Sequence, residues 1–233
     1  MDYFYTPPEN ISNTSIRIEG EEFAHLTHVM RKKAGDLIRV VDGLGTAYDV
    51  RLDNTLKEIA TGTILKIFQH HNEPGINLTL AVGILKNPSK FDFLVEKITE
   101  LGVKEIIPLR TERTIPAQAK IERWQKLALA GMKQSGRSYL PIVRELTTLK
   151  DVLQIKPSFD ALFIAHEQLV DAKCTIDRSF RSALILIGPE GGFSNEEFDY
   201  CRAAGFRPLY FGDRRLRTET AAIVSTTLVL VPS

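Results

Sequence analysis

Two segments near the C-terminus carry residue types that could do chemistry. The first is Ile187-Gly188-Pro189-Glu190-Gly191-Gly192-Phe193-Ser194, and the second, about one strand-helix-strand unit later, is Phe211-Gly212-Asp213-Arg214-Arg215-Leu216-Arg217-Thr218-Glu219-Thr220-Ala221. The first follows an apolar run, Ala183 to Ile187, and its paired glycines leave a backbone that a ligand can approach without meeting a Cβ. Ser194 can accept from the N–H of Glu197 while Glu197 reaches back, a capping box that delivers the loop to the positive end of a helix. In the second segment, a strand at Leu209 to Phe211 runs into the loop, and Thr218 can cap a closing helix whose interior, Ala221 to Leu230, is almost wholly apolar. The cluster Arg217-Thr218-Glu219-Thr220 sets donors and acceptors between a strand and an apolar helix, where a purely structural loop has less reason to carry them. The glycine loop is not G-x-G-x-x-G and no G-x-x-x-x-G-K-[ST] occurs, so ordinary dinucleotide and P-loop sites are disfavoured.

The elements that position these loops follow from periodicity. Residues 1–72 read as β-rich with one short helix: Ile16 and Ile18 alternate, Glu21 to Met30 is helical, and Leu37 to Val41 and Thr46 to Leu52 flank a hairpin loop at Asp42 to Gly45. A further strand runs from Glu58 to Phe68, and several short strands in a small unit suggest a compact barrel. The turn at His70 to Gly75 marks a boundary, giving domains 1–72 and 73–233. Strand and helix then alternate. Strands are expected at Ile76 to Leu85, Ile106 to Leu109, Asp160 to Ala165 and Ala183 to Ile187, and helices at Phe91 to Leu101 (closed by Gly102), Lys120 to Gln134, after a Thr148 cap, Asn195 to Ala204 and Glu219 to Leu230. That alternation predicts an α/β domain with a parallel sheet, and both loops then sit at strand carboxyl ends, where open α/β sheets bind ligands.

Composition excludes several classes. With 233 residues, 43% hydrophobic and 25% charged, the chain is ordinary globular material, and no apolar run reaches the length of about 18 residues that a membrane span needs. The N-terminus shows no basic region before an apolar core, so a cytoplasmic location is expected. Cys174 and Cys201 lie in no metal or redox spacing and read as idle thiols. Net charge is +1, but residues 73–150 carry 13 Lys/Arg against 8 Asp/Glu, a basic zone that suits a polyanionic substrate as well as a solvated helical face.

The loop Gly188 to Ser194, the segment Leu216 to Ala221 and the helix end Thr99-Glu100-Leu101-Gly102-Val103 together resemble the ribosomal small-subunit RNA uridine-N3 methyltransferase family, of the SPOUT class. Further upstream, His25-Leu26, Val29-Met30-Arg31, Gly35-Asp36 and Asp42-Gly43 resemble that family's PUA-like RNA-binding barrel. The resemblance implies a PUA-like β-barrel at 1–72, a SPOUT domain with a deep trefoil knot at 73–233, and a homodimer acting on 16S ribosomal RNA or the 30S subunit. It further implies S-adenosylmethionine held by three loops: Ala165, His166 and Glu167; Ile187, Gly188, Pro189, Glu190, Gly191 and Gly192; and Phe211, Gly212, Leu216, Arg217, Thr218, Glu219, Thr220 and Ala221. Rival readings are a SPOUT enzyme acting on another RNA and a non-catalytic ribosome-assembly factor that binds RNA.

Methylating N3 of uracil requires the imide proton to leave, through a general base or through cations near the ring carbonyls. Arg217 and Arg137 are candidates for the cationic role, and Glu190 or Glu219 for the base. Against these stand plainer readings: a surface charge or phosphate contact for either arginine, a helix-end charge for Glu219 and a loop-shaping hydrogen bond for Glu190. Arg31, Lys32 and Lys33 can clamp phosphates from the small barrel, or simply mark an exposed helix end. His25 and His28 are spaced as a metal pair with no further ligand evident, so no metal is expected. Trp124 reads as core.

Overall fold

The computed structural model describes residues 2–56, 58–116, 118–166, 176 and 178–231. The chain forms two compact units, Met1–Glu73 with Leu129–Leu140, and Pro74–Ala128 with Pro141–Ser233.

The first unit is built from β1 (Tyr3–Tyr5), β2 (Ser15–Glu19), α1 (Gly20–Ala24), β3 (Leu37–Val41), β4 (Thr46–Leu56) and β5 (Ile59–Gln69). Its sheet runs in the order β1-β3-β4-β5-β2, with β1 parallel to β3 and the other pairs antiparallel. The alternation of Ile16 and Ile18 with polar neighbours puts both isoleucines in a core with Phe4, Leu26, Ile38, Val40, Val50 and Leu52. Two register shifts between β4 and β5, at Asp49/Val50 and Leu52/Asn54, give the local bends by which a small sheet curls. The expected helix at Glu21 to Met30 is shorter: α1 passes into a wider π turn over His25–Val29. A second cluster joins Val41 and Ala47 to Met132, with Leu129 and Leu140 against it, which is why residues 129–140 group with this unit.

The second unit follows the predicted alternation: β6 (Asn77–Gly83), α2 (Pro88–Leu101), β7 (Glu105–Arg110), α3 (Ile121–Ser135), β8 (Ile142–Val143), β9 (Thr147–Thr148), α4 (Leu149–Ile155), β10 (Ala161–Ala165), β11 (Ser182–Ile187), α5 (Asn195–Ala203), β12 (Arg207–Leu209) and α6 (Thr218–Leu230). The last turns of α3 belong to the first unit. All strand pairs here are parallel, in the order β12-β10-β11-β6-β7-β8, with β9 also on β7. The short strands β8 and β9 carry too few residues for any periodicity to announce them. Successive residues of Leu78 to Val82, Thr79 included, and of the apolar run Ala183 to Ile187 are buried, as both faces of a covered parallel sheet are.

Helix α6 packs against α2 and β6. Its hydroxyls tolerate burial because Ser225 Oγ donates to the Ala221 carbonyl (2.6 Å) and Thr226 Oγ1 to the Ala222 carbonyl (2.8 Å). Among the described residues, no helix is long and apolar enough to cross a membrane.

Candidate functional site

From β11 the chain leads to the next strand on one side of the sheet, and from β6 to the next strand on the other, so the neighbouring carboxyl ends of β11 and β6 form a topological switch point. The backbones come very close there. A Cβ on Gly83, the last residue of β6, would lie 2.4 Å from the Pro189 nitrogen and 2.9 Å from the Gly188 carbonyl carbon. The glycine loop then closes on itself: Gly192 N–H donates to the Pro189 carbonyl (2.8 Å), with Gly192 at φ +68, and a Cβ on Gly188 would meet the Gly192 carbonyl carbon at 2.9 Å.

Side chains clamp this loop from both flanks. Lys86 N–H, just past β6, donates to Glu190 Oε1 (3.0 Å), and Arg113 Nη1, just past β7, donates to the Gly191 carbonyl (2.9 Å). The predicted capping box is present, with Glu197 N–H donating to Ser194 Oγ (3.2 Å) and Ser194 N–H to Glu197 Oε2 (3.0 Å). The other oxygen of Glu197 accepts from Glu112 N–H (2.8 Å), so one carboxylate both caps α5 and anchors the segment after β7.

The second loop departs from expectation in two ways. Strand β12 ends at Leu209 rather than Phe211, and Thr218 does not cap α6: the N-cap position is Arg217, with no side-chain cap. The Thr218 hydroxyl instead donates to the buried Gly188 carbonyl (3.0 Å) and ties the two loops together. That carbonyl needs a donor because Gly188 has no strand partner beyond β11, and an unpaired buried acceptor is costly. At the end of β10, His166 stacks on Phe198 with ring centroids 3.8 Å apart. Glu167, named with Ala165 and His166, lies outside the described residues, as does Cys174.

The three loop ends surround a cavity of about 490 Å³. Ala165, His166, Ile187, Gly188, Pro189, Glu190, Gly191, Gly192, Phe211, Gly212, Leu216, Arg217, Thr218, Glu219 and Ala221 all line it; Thr220 does not. Lys90, Arg113, Phe193, Arg214 and Arg215 line it too and were missed as site residues. Lys90 stands in the first turn of α2, directly after β6, so the strand-to-helix rule applied to the two later loops could have found it. Among the described residues the lining is basic, with Lys90, Arg113, Arg214, Arg215 and Arg217 against Glu190 and Glu219. A cavity of this size with apolar walls and glycine backbone at hand fits a nucleoside-sized ligand.

Other candidates fall elsewhere. Arg137 is not among the lining residues; it is 2% exposed, and its Nη2 (2.7 Å) and Nε (3.2 Å) donate to Glu73 Oε2, while Glu73 Oε1 takes the N–H groups of Ser138 (2.9 Å) and Tyr139 (2.8 Å). Its place in the first unit is that of a buried, fully engaged ion pair. Arg31 and Lys33 are exposed, whereas Lys32 pairs with Asp2 (2.8 Å). Trp124 is core, packed on Phe91 and donating through Nε1 to Asp92 (3.1 Å). Burial pushes the Cys201 thiol up to about 12, so it is a neutral, inert packing group. His25 packs on Phe4 while His28 is exposed, and among the described residues no three His, Cys, Asp or Glu gather to hold a metal.

A family profile described as an RNA methyltransferase domain matches residues 71–230, and one described as an RNA methyltransferase PUA domain matches residues 18–66. The Ribosomal RNA small subunit methyltransferase E of Synechocystis sp. is 30% identical over 94% of this chain and 73% of its own length. The protein of the same name from Bacillus subtilis is 29% identical over 91% of this chain and 88% of its own. The crystal structure of a Ribosomal RNA small subunit methyltransferase E from Neisseria gonorrhoeae bound to S-adenosyl methionine superposes with a TM-score of 0.86 at 31% identity, covering 97% of this chain and 95% of that one. A probable rRNA-methyltransferase from Porphyromonas gingivalis gives 0.84 at 28% identity, over 97% and 96%.

Proposed function

This chain belongs to the RNA methyltransferase domain family, and on that premise we propose that it transfers a methyl group from S-adenosylmethionine to N3 of a uridine in the 16S RNA of the small ribosomal subunit. The observation that carries the reading is the joining of the glycine loop and the Arg217 to Ala221 segment into one cavity through the Thr218 to Gly188 hydrogen bond. The cofactor supplies, when bound, a methyl group on a sulfonium open to in-line attack.

The residues present suit that ligand. The backbone at Gly192, where an added Cβ would meet nothing within 4 Å, allows close approach, the loop offers N–H and C=O groups to an adenine edge, and Ile187 and Leu216 give the ring apolar walls. Arg217 and Arg214, both exposed and both lining the cavity, place positive charge where a phosphate or a developing uracil anion is stabilised. The first unit acts as an RNA grip, with Arg31 and Lys33 as phosphate contacts. The protein works as a homodimer, as the family resemblance implies. Phe93 on α2, and Leu228 and Val231 at the end of α6, are exposed apolar side chains that such an interface would cover.

The test is transfer of labelled methyl from S-adenosylmethionine to small subunits lacking their native methylation, followed by nucleoside analysis. Label in N3-methyluridine is the expected result. Label in another nucleoside or on a ribose would transfer the reading to a related enzyme, and RNA binding with no cofactor binding would make the chain an assembly factor.

A further inference from the structure

Glu219 is the second residue of α6, and its Oε2 is buried without a hydrogen-bond partner. Its Oε1 faces Lys90 Nζ at 3.7 Å, an ion pair too long for a direct hydrogen bond, and both residues line the cavity. A buried acceptor left unpaired is costly, so whatever fills this cavity has reason to bring a donor to Oε2. The neighbouring carboxylates are already engaged. Glu190 holds the Lys86 N–H, Glu197 takes the N–H groups of Ser194 and Glu112, and Asp213 takes the Tyr210 hydroxyl.

Resting on the reading that the target base is uracil, we infer that Glu219 is the general base that removes the N3 proton, and that the same oxygen selects uracil over cytosine. Uracil N3 carries a hydrogen and cytosine N3 a lone pair, so Oε2 meets a donor in the first base and another acceptor in the second. A site that needs a donor rejects an analogue lacking it far more strongly than an apolar pocket rejects a change of size. In the step itself the N3–H bond breaks and its proton passes to Glu219 Oε2. The electron pair left on N3 forms a bond to the methyl carbon of S-adenosylmethionine, and the carbon–sulfur bond breaks with its pair remaining on sulfur, which loses its positive charge. Lys90 sets a cation beside the ring oxygens over which the imide anion spreads its charge. Glu219 returns its proton to water as the product leaves.

The test compares wild type with Glu219→Gln in three measurements: calorimetric titration with S-adenosylmethionine, single-turnover methyl transfer to unmethylated small subunits as a function of pH, and the same transfer to subunits whose uracil is replaced by 5-fluorouracil, which has a more acidic N3. The expected result is cofactor affinity close to that of wild type, a transfer rate lower by roughly 10²–10⁴-fold, replacement of the wild-type pH dependence by one that follows ionisation of N3 itself, and partial rescue on the 5-fluorouracil subunits. A rate equal to wild type overturns the inference. So does weakened cofactor affinity with full rate at saturation, which would make Glu219 an anchor for the cofactor's ammonium group. Wild type that binds cofactor yet forms no N3-methyluridine overturns the underlying reading and the inference with it. Should the glutamine variant fail to fold, Glu219→Asp carries the test: with its carboxylate drawn back by one methylene, it is expected to keep the pH dependence at a lower rate, and an undiminished rate overturns the inference.

Discussion

Thr218 illustrates how little of a side chain's task its type reveals. A threonine ahead of an apolar helix reads as an N-cap, yet its hydroxyl serves the Gly188 carbonyl thirty residues earlier in the chain, and α6 starts without a side-chain cap. Thr218→Val keeps the shape and removes the donor, leaving a buried carbonyl unpaired. The expected cost is about 1–3 kcal/mol, read as a lower melting temperature together with weaker binding of S-adenosylmethionine; unchanged values for both would show that the two loops hold together without this bond. Glu219, the next residue, is legible as a cavity residue from its place between strand and helix. That one of its oxygens is buried without a donor was not, because this depends on where Lys90 and the glycine loop come to rest. Arg137 is the converse case: an arginine in a basic stretch reads as available to RNA or substrate, but Glu73 holds it in a buried pair, and the other oxygen of that carboxylate accepts from the backbone N–H groups of Ser138 and Tyr139.

At the scale of elements, local rules performed well wherever the interaction closes within a few residues. The Ser194/Glu197 capping box and Gly102, at φ +112, which ends α2, follow from sequence, and the Asn87 side chain that accepts from Ser89 N–H at the start of α2 is a further local cap that the sequence reading did not name. The approach of β6 to the glycine loop does not, since it joins residues about a hundred positions apart. Gly83 looks like an ordinary strand end, but a methyl group there would sit 2.4 Å from the backbone nitrogen of Pro189. Gly83→Ala is therefore expected to push the glycine loop out of place, at a cost of about 1–3 kcal/mol, and to weaken cofactor binding, whereas the fold, assessed by circular dichroism, should persist. Full cofactor affinity in this variant would show that the loop can shift without consequence for the site.

The whole molecule adds dependencies on distant partners and on conditions. In the first unit, His71 Nε2 lies 2.8 Å from the Tyr3 hydroxyl oxygen and 3.3 Å from Arg39 Nη1. Burial, then the Arg39 charge, hold His71 below the ordinary imidazole value of 6.5, against the opposing pull of Asp49 and Glu73. The unfolded chain thus takes up a proton more readily than the folded one, so the contribution is fully present above about pH 6.5 and is lost as pH falls through the depressed value. Thermal unfolding is expected at lower temperature at pH 5 than at pH 7.5, with a smaller difference in His71→Gln; equal pH sensitivity in both would assign it to other groups. By itself, the sequence determined the α/β class, the strand-helix alternation and the two C-terminal loops, because periodicity, capping and glycine placement act over a few residues and leave a local imprint, while the loop at Ala165 and His166 was implied by the family resemblance alone. The parallel order β12-β10-β11-β6-β7-β8, the return of Leu129–Leu140 to the first unit, and the meeting of Lys90, Arg113, Gly188, Thr218 and Glu219 around one cavity were decided only by the tertiary structure. The threading that the family resemblance implies belongs with these, since the side on which a chain passes an earlier loop has no periodicity. Contacts of this kind are set by which long-range packing buries the most apolar surface while leaving the fewest polar groups unpaired, a balance struck by the whole chain at once.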